Sequence, residues 1–161
     1  MTPRLLPNLE AYRSGKFSSA ARIACDHPDA VREIIERVSG RELPESWFPW
    51  QPLDSNGSLD GLTVTGYEFP LVHWTDQHGK SGSSNIEKGE GKLPWRLDWP
   101  AKWGFNAITC EPFGKDHGAA GGSYDTGKEL AVLFGHQPPV PLTYEWISLR
   151  GEGAMSSSTG N

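Results

Sequence analysis

The sequence predicts an α/β fold: half of a doubly wound, mostly parallel sheet, carrying a small antiparallel β insert and helices on its N-terminal side. Three observations predict it. Val31, Ile34, Ile35 and Val38 recur at helical spacing between Pro28 and Gly40. Between residues 53 and 91, clusters of turn residues separate short runs that alternate in polarity. Beyond them an apolar run, a glycine-rich loop, a helical pattern and a second strand pattern follow one another, the order of a strand–helix–strand unit.

Taken in order, Asn8 to Cys25 reads as one or two helices, with a break near Ser14 and Gly15. Pro28 suits the first turn of the next helix and Gly40 its end. Asp29, Glu33 and Arg37, and Arg32 with Glu36, place opposite charges four residues apart on its outer face. "ELPESWFPWQP" is a packed Pro/Trp connector. "DSNGS", "DQHGKSG" and "EKGEG" read as turns, and "LTVTGYEF", "PLVHWT" and "SNIEK" as the strands among them. "KLPWRLDWPAKW" is a tight Pro/Trp segment leading into a short helix. "AITC" has the brief apolar character of a buried parallel strand. A helix is expected over roughly Ser123–Phe134, closed by Gly135, with His136 merely ending it. Thr126 and Glu129 fit a capping box there, with Ser123 as a competing cap. "TYEWISL" is the second strand.

Composition narrows the function. The chain has 161 residues, nineteen glycines, thirteen prolines and seven tryptophans, so it is loop-rich yet has large groups to bury. A net charge of −5 disfavours wrapping of nucleic acid by this segment. Cys25 and Cys110 are the only cysteines, which supports neither a disulfide framework nor a cysteine-rich zinc site. No apolar run reaches membrane length and residues 1–7 are no signal peptide, so a cytoplasmic location without membrane contact is expected. Both ends lack a closing element, and the chain reads as an internal slice of something longer.

The chemistry concentrates in "EPFGKDHGAAGGSYDTGKEL". In open α/β sheets ligands sit beyond the carboxyl ends of the strands, and Lys115, Asp116 and His117 follow a predicted strand directly. Glycines at 114, 118, 121 and 122 allow close approach of backbone; a flexible loop with solvated charges is the plainer reading. "GSYDTGKE" falls short of a phosphate-binding P-loop, because Glu129 stands where a hydroxyl would hold Mg²⁺ and would repel phosphate. His73, Asp76 and His78 could join Asp116 and His117 around a metal, but their spacing is that of a hairpin turn. "DSNG" and "DQHG" have the shape of metal-knuckle turns with the cysteines gone. Of the three tryptophans at 95, 99 and 103, two are expected in packing and one free to stack on a ligand or a cation. "GAMSSSTGN" is by composition a mobile, hydroxyl-rich loop.

"KLPWRLDWPAKW", "EPFGKDHGAAGGSYDTGK" and "YEWISLRGEGAMSSSTGN", in that order, resemble class I lysyl-tRNA synthetase of the archaeal and bacterial type. "AYRSGKF" and "LPESWFPW" extend the resemblance over nearly the whole chain. It implies a partial Rossmann-like parallel sheet with a small antiparallel insert and N-terminal helices. Residues 1–52 would be a helical segment of the catalytic domain, 53–91 a β-rich connective insert, and 92–161 the second half of the domain, ending in a KMSKS-like loop. It implies activation of L-lysine with ATP, accompanied by Mg²⁺, to lysyl-adenylate, and transfer to tRNA(Lys). Carried over residue by residue, Trp95, Asp116, His117 and Tyr144 bind lysine. Gly121, Gly122 and Asp125 border the nucleotide, and Met155, Ser156, Ser157 and Ser158 form the catalytic loop.

The sequence departs from the family in three ways. The HIGH motif is absent, Ala154 and Ser157 replace the two lysines of KMSKS, and the insert lacks its metal-binding cysteines. No structural zinc is therefore expected, and this chain alone is expected not to form lysyl-adenylate. A non-catalytic module binding an amino acid or a protein, and a metal-dependent hydrolase using Asp116, His117 and the hairpin histidines, are the rival readings.

Overall fold

Helix α1 (Asn8–Arg13) stops where Gly15 takes a left-handed φ of 73°, and α2 (Ser18–Asp26) restarts beyond it, which is the expected break. The computed structural model, to which these helices belong, describes residues 3–145; the KMSKS-like segment with Met155 and Ser156–Ser158, and "TYEWISL" from residue 146 onward, lie outside the described residues. Helix α3 (Pro28–Ser39) opens on Pro28 and closes on Gly40 in the left-handed region, and buries Val31 and Ile35. Its charged face builds the next segment. Arg32 bonds Glu36 and also donates to the carbonyls of Leu43 and Pro44, while Glu36 accepts the Leu43 amide. The Pro/Trp connector is thereby folded back onto α3, and it delivers Trp50 into the core.

Strand β1 (Gln51–Pro52) pairs antiparallel with β5 (Gly91–Lys92) at the neck of the insert. Between them β2 (Leu62–Glu68), β3 (Leu71–Asp76) and β4 (Ser81–Asn85) form an antiparallel meander, with a bulge between Val64 and Gly66. The third strand stops at Asn85, earlier than "SNIEK" suggests, because Ile86 turns inward and is buried. With Val72 it joins the core formed by Phe17, Val31, Trp50, Leu97 and Leu130, so the insert shares one core with the helices.

The two turns of the insert are built alike. Asp54 Oδ1 accepts the amides of Asn56 and Ser58, both at 2.8 Å, and Asp76 Oδ1 accepts those of His78 and Lys80 at 2.8 and 2.9 Å. Lys80 reaches across to Ser55 Oγ at 3.2 Å. These amides, Ser58 first for Asp54 and Lys80 first for Asp76, hold both carboxyls below the usual aspartate range. A carboxyl depressed in the folded state supplies stability that is present above its unfolded pKa and lost as pH falls through the folded value. Exchange protection of the Ser58 and Lys80 amides is therefore expected to hold at neutral pH and to fade below about pH 4. Protection unchanged down to the onset of global unfolding would show that the carboxylates do not hold these turns.

Helix α4 (Trp95–Phe105) corrects the reading of "KLPWRLDWPAKW" as a lead-in: from Trp95 onward the segment is the helix itself. Trp95, Trp99 and Trp103 fall four residues apart along one side, while Leu97 and Ala101 are buried in the main core. Pro100 cannot donate to the carbonyl four residues back. Its own carbonyl receives His136 Nε2 at 2.8 Å, and the imidazole lies over Gly104, where a Cβ would come within 2.6 Å of the ring. His136 thus clamps α4 rather than merely ending a helix.

Strand β6 (Cys110–Gly114) starts at the last residue of "AITC", because Ala107 sits at φ 51° in a turn. It pairs parallel with β7 (Val140–Tyr144), and α5 (Ser123–Leu133) connects the two. Among the described residues the fold is therefore mixed α/β, with one parallel pair and antiparallel strands elsewhere. The capping box does not form. Thr126 lies inside α5, fully buried, and bonds the Gly122 carbonyl, while Glu129 pairs with Arg37 of α3 at 2.6 Å. The N-cap is Gly122, with no side-chain cap. Among the described residues, no helix is long and apolar enough to cross a membrane.

Candidate functional site

The parallel ladder ends where the Lys115 amide donates to the Tyr144 carbonyl at 3.0 Å. The chain then turns tightly, with His117 N bonding Gly114 O and Gly118 N bonding Lys115 O. The His117 carbonyl receives the Tyr124 amide at 3.0 Å, which ties this turn to the first turn of α5. The imidazole of His117 is thus held at the carboxyl end of β6, the position from which α/β sheets present ligand-binding groups.

Its surroundings are aromatic. The Trp95 and Trp99 rings stack at 5.5 Å and 15°, and the His117 ring lies 6.1 Å from Trp95 and 5.7 Å from Trp99. Behind them Trp99 packs on Trp103 and edge-on against Phe113, and Phe113 meets Tyr124. Trp95 remains 50% exposed and the His117 side chain 40%, whereas Trp99 and Trp103 are buried. One tryptophan open to a ligand and two in packing is the division expected from the sequence. The Lys102 ammonium lies 5.5 Å from the centre of the Trp95 ring, so that ring already meets a cation.

Asp116 lies beside His117, with Oδ2 3.9 Å from Nε2. Its other oxygen sits over Gly114, where a Cβ would come within 2.8 Å of it and 4.0 Å of the Tyr144 ring. Tyr144 pairs with Gly114 in register, so its side chain leaves the sheet on the face opposite Phe113 and Thr143. The rings of Trp95 and His117 come together on the Phe113 side. Tyr144 stands across the strand end, with Asp116 between. Lys115 pairs with the exposed Glu145.

Gly121, Gly122 and Asp125 form a single junction at the start of α5. The Gly121 amide donates to Asp125 Oδ2 at 3.1 Å, and Lys128 lies 2.9 Å from Oδ1; these contacts, Lys128 first, hold the Asp125 carboxyl below its usual range. The glycines meet protein closely. A Cβ at Gly121 would lie 2.9 Å from the Val38 carbonyl, at Gly122 2.6 Å from those of His117 and Ala119, and at Gly118 2.9 Å from Thr143. Packing alone thus demands small residues here.

Two residues at the site, Arg96 and Glu111, were not singled out from the sequence, and Trp99 was marked only as one of three tryptophans. Arg96 donates to Thr126 Oγ1 at 2.8 Å, and burial, with Arg41 nearby, lowers its pKa; no carboxylate pairs with it among the described residues. Trp99 donates through Nε1 to Glu111 Oε1 at 2.9 Å. The four-residue spacing of the tryptophans was the available signal for Trp99; nothing local marks Arg96 or Glu111.

Two earlier possibilities find no geometry. "GSYDTGKE" is helix rather than a cradle of free amides, and a Cβ at Gly127 would come within 2.7 Å of Trp103. Among the described residues, no three His, Cys, Asp or Glu side chains gather to hold a metal, so the hairpin histidines do not join Asp116 and His117.

The family model described as "tRNA synthetases class I (K)" matches residues 2–161. The lysine–tRNA ligase of Thermoplasma acidophilum is 45% identical over 159 residues, covering 98% of this chain and 31% of that protein. The enzyme of Archaeoglobus fulgidus is 46% identical over 153 residues, covering 94% and 31%. That of Methanosarcina barkeri is 44% identical over 164 residues, covering 99% and 30%. The chain spans about a third of the length of the curated relatives it matches. With the family model matching almost end to end, the chain belongs to the class I (K) family of tRNA synthetases.

Proposed function

We propose that this chain is the part of a lysine–tRNA ligase that holds the amino acid, within an enzyme that activates L-lysine with Mg²⁺–ATP and passes it to tRNA(Lys) in the cytoplasm. The observation that carries this is the meeting of Trp95, His117 and Asp116 at the carboxyl end of β6. Two ring faces and a carboxylate suit a ligand bearing an ammonium group. Tyr144 would close the pocket from across the strand end, and Gly121, Gly122 and Asp125 would border the adenylate. Met155 and Ser156–Ser158 would close over the triphosphate and stabilise charge developing on the α-phosphate. The lysine carboxylate is itself the nucleophile, so these side chains have to position and neutralise rather than attack.

The finer fold assignment belongs to the same proposal. Residues 92–161 would be the second half of a Rossmann-type catalytic domain, 53–91 its connective insert and 1–52 a helical segment. Support comes from β7, where Val140, Leu142 and Tyr144 are 67%, 58% and 53% exposed. Parallel sheets are covered on both faces, so such an open apolar face on a parallel pair supports a place within a larger, covered sheet. The insert would hold its shape without structural zinc, through Asp54 and Asp76. Nothing observed favours a non-catalytic module.

The test is His117→Ala in a protein carrying the whole catalytic domain. Lysine-dependent ATP–pyrophosphate exchange is expected to show a KM for lysine raised roughly ten- to a hundred-fold, the loss of one directed hydrogen bond to a charged ligand, with the KM for ATP little changed. Equal effects on both substrates would remove His117 from the lysine pocket.

A further inference from the structure

We propose that Trp99, locked by Glu111, is the positioning residue that sets the angle between Trp95 and His117; its consequence for lysine rests on the function proposed above. Trp99 touches both rings that face solvent at the site, and it touches Trp103 and Phe113 behind them. Every ring of the cluster that could meet a ligand therefore leans on this one. An indole in an aromatic slot is held loosely in rotation, because stacking and edge contacts tolerate a range of tilts. Its single polar atom can select one of them.

The hydrogen bond at Trp99 is not a routine result of burial. Trp50, Trp74 and Trp103 are also buried; among the described residues Trp74 and Trp103 leave Nε1 without a partner, and Trp50 bonds only the neutral Ser84 hydroxyl. Trp99 alone among the four meets a carboxylate, and Glu111 makes no ion pair among the described residues. Glu111 and Phe113 alternate on the same face of β6, so the strand that ends at the candidate site also supplies the acceptor that orients the ring beside it. A charge-assisted bond is stronger than a neutral one, and losing it frees the indole to turn. Trp95 and His117 would then lose the backing that fixes their mutual tilt.

The test uses the chain with Glu111→Leu, Glu111→Gln and Trp99→Phe. The indole pairs Trp95–Trp99 and Trp99–Trp103 are both close enough to couple in the far-ultraviolet circular dichroism, and the part of the couplet lost in Trp95→Phe is the contribution of the first pair. Glu111→Leu is expected to flatten the couplet while cooperative unfolding is retained. It should also raise the lysine dissociation constant about tenfold, read from the shift of the His117 Hε1 resonance. Glu111→Gln, whose amide oxygen still accepts, should restore the couplet and bring the constant within about twofold of the original. A couplet and an affinity unchanged in Glu111→Leu would overturn the proposal, as would a Gln variant no better than Leu. If Glu111→Leu does not fold, the indole proton of Trp99 decides, assigned by its loss in Trp99→Phe: slow solvent exchange supports the lock, and exchange at the rate of an exposed indole overturns it. A parent chain showing no lysine-dependent shift would sink the pocket reading, while the couplet would still judge Trp99.

Discussion

Asp98→Ala should lower the unfolding free energy by about 3 kcal/mol, the lower end of the range for breaking a buried ion pair, because Lys102 is only partly buried. Asp98 is 6% exposed and lies on α4, three residues beyond Trp95. Its Oδ2 accepts the Tyr12 hydroxyl at 2.7 Å and the Asn8 amide at 3.3 Å. The Lys102 ammonium lies 2.7 Å from Oδ1, a charge contact without the alignment of a hydrogen bond. Burial, reinforced by this carboxylate, drives the Tyr12 phenol far above its ordinary pKa, so the hydroxyl stays neutral and donates. The same oxygen accepts the Leu93 amide at 3.0 Å. One carboxylate thereby joins α1, the approach to α4 and α4 itself. Removing it strands a phenol and an ammonium, whereas Asp98→Asn keeps an acceptor for Tyr12 and should cost less. Urea unfolding at constant m-value measures both. A loss under about 1 kcal/mol in the alanine variant would mean that water replaces Asp98 freely.

Trp50→Ala should be comparably damaging, at about 3–5 kcal/mol. Trp50 is 1% exposed, its Nε1 bonds the buried Ser84 Oγ at 3.1 Å, and its ring meets Tyr12 edge-on at 6.2 Å. Gly91 passes so close that a Cβ there would come within 2.4 Å of Nε1. Loss of this ring leaves a cavity where connector, insert and α1 meet, and leaves the Ser84 hydroxyl without its donor. Trp47 is the internal comparison: it is only partly buried and has Arg32 5.6 Å from its ring, so Trp47→Ala should cost far less. Equal losses at the two positions would contradict the packing described.

Local signals in the sequence were read correctly where local physics decides the structure. Pro28, the apolar spacing and Gly40 act within one helix, so α3 was legible at both ends. Where distant partners decide, the reading shifted. The capping box at Thr126 lost to Arg96, which reaches the hydroxyl from α4, and to Arg37, which takes Glu129 from α3. "AITC" looked like a strand because it is apolar, yet the left-handed Ala107 delays the ladder to Cys110. Pro100 lies inside α4, and nothing nearby in the sequence reveals that His136 engages its carbonyl. The site divides in the same way. The strand-end position of Asp116 and His117 followed from the order of elements, but Trp95 reached the list through resemblance alone. No spacing shows that residue 95 will meet residue 117.

The outward row of Val140, Leu142 and Tyr144 bears on how the free polypeptide behaves in a test tube. Strand β7 bonds β6 on one side only among the described residues, which leaves peptide groups of its other side unclaimed beside an oily strip. Such a border is a template for sheet extension between molecules. Colloidal stability of the isolated chain is then governed by concentration and ionic strength, with the net charge of −5 as the opposing repulsion. A charged residue placed at Leu142 would act as a gatekeeper against self-association while leaving the aromatic cluster on the other face of the pair untouched.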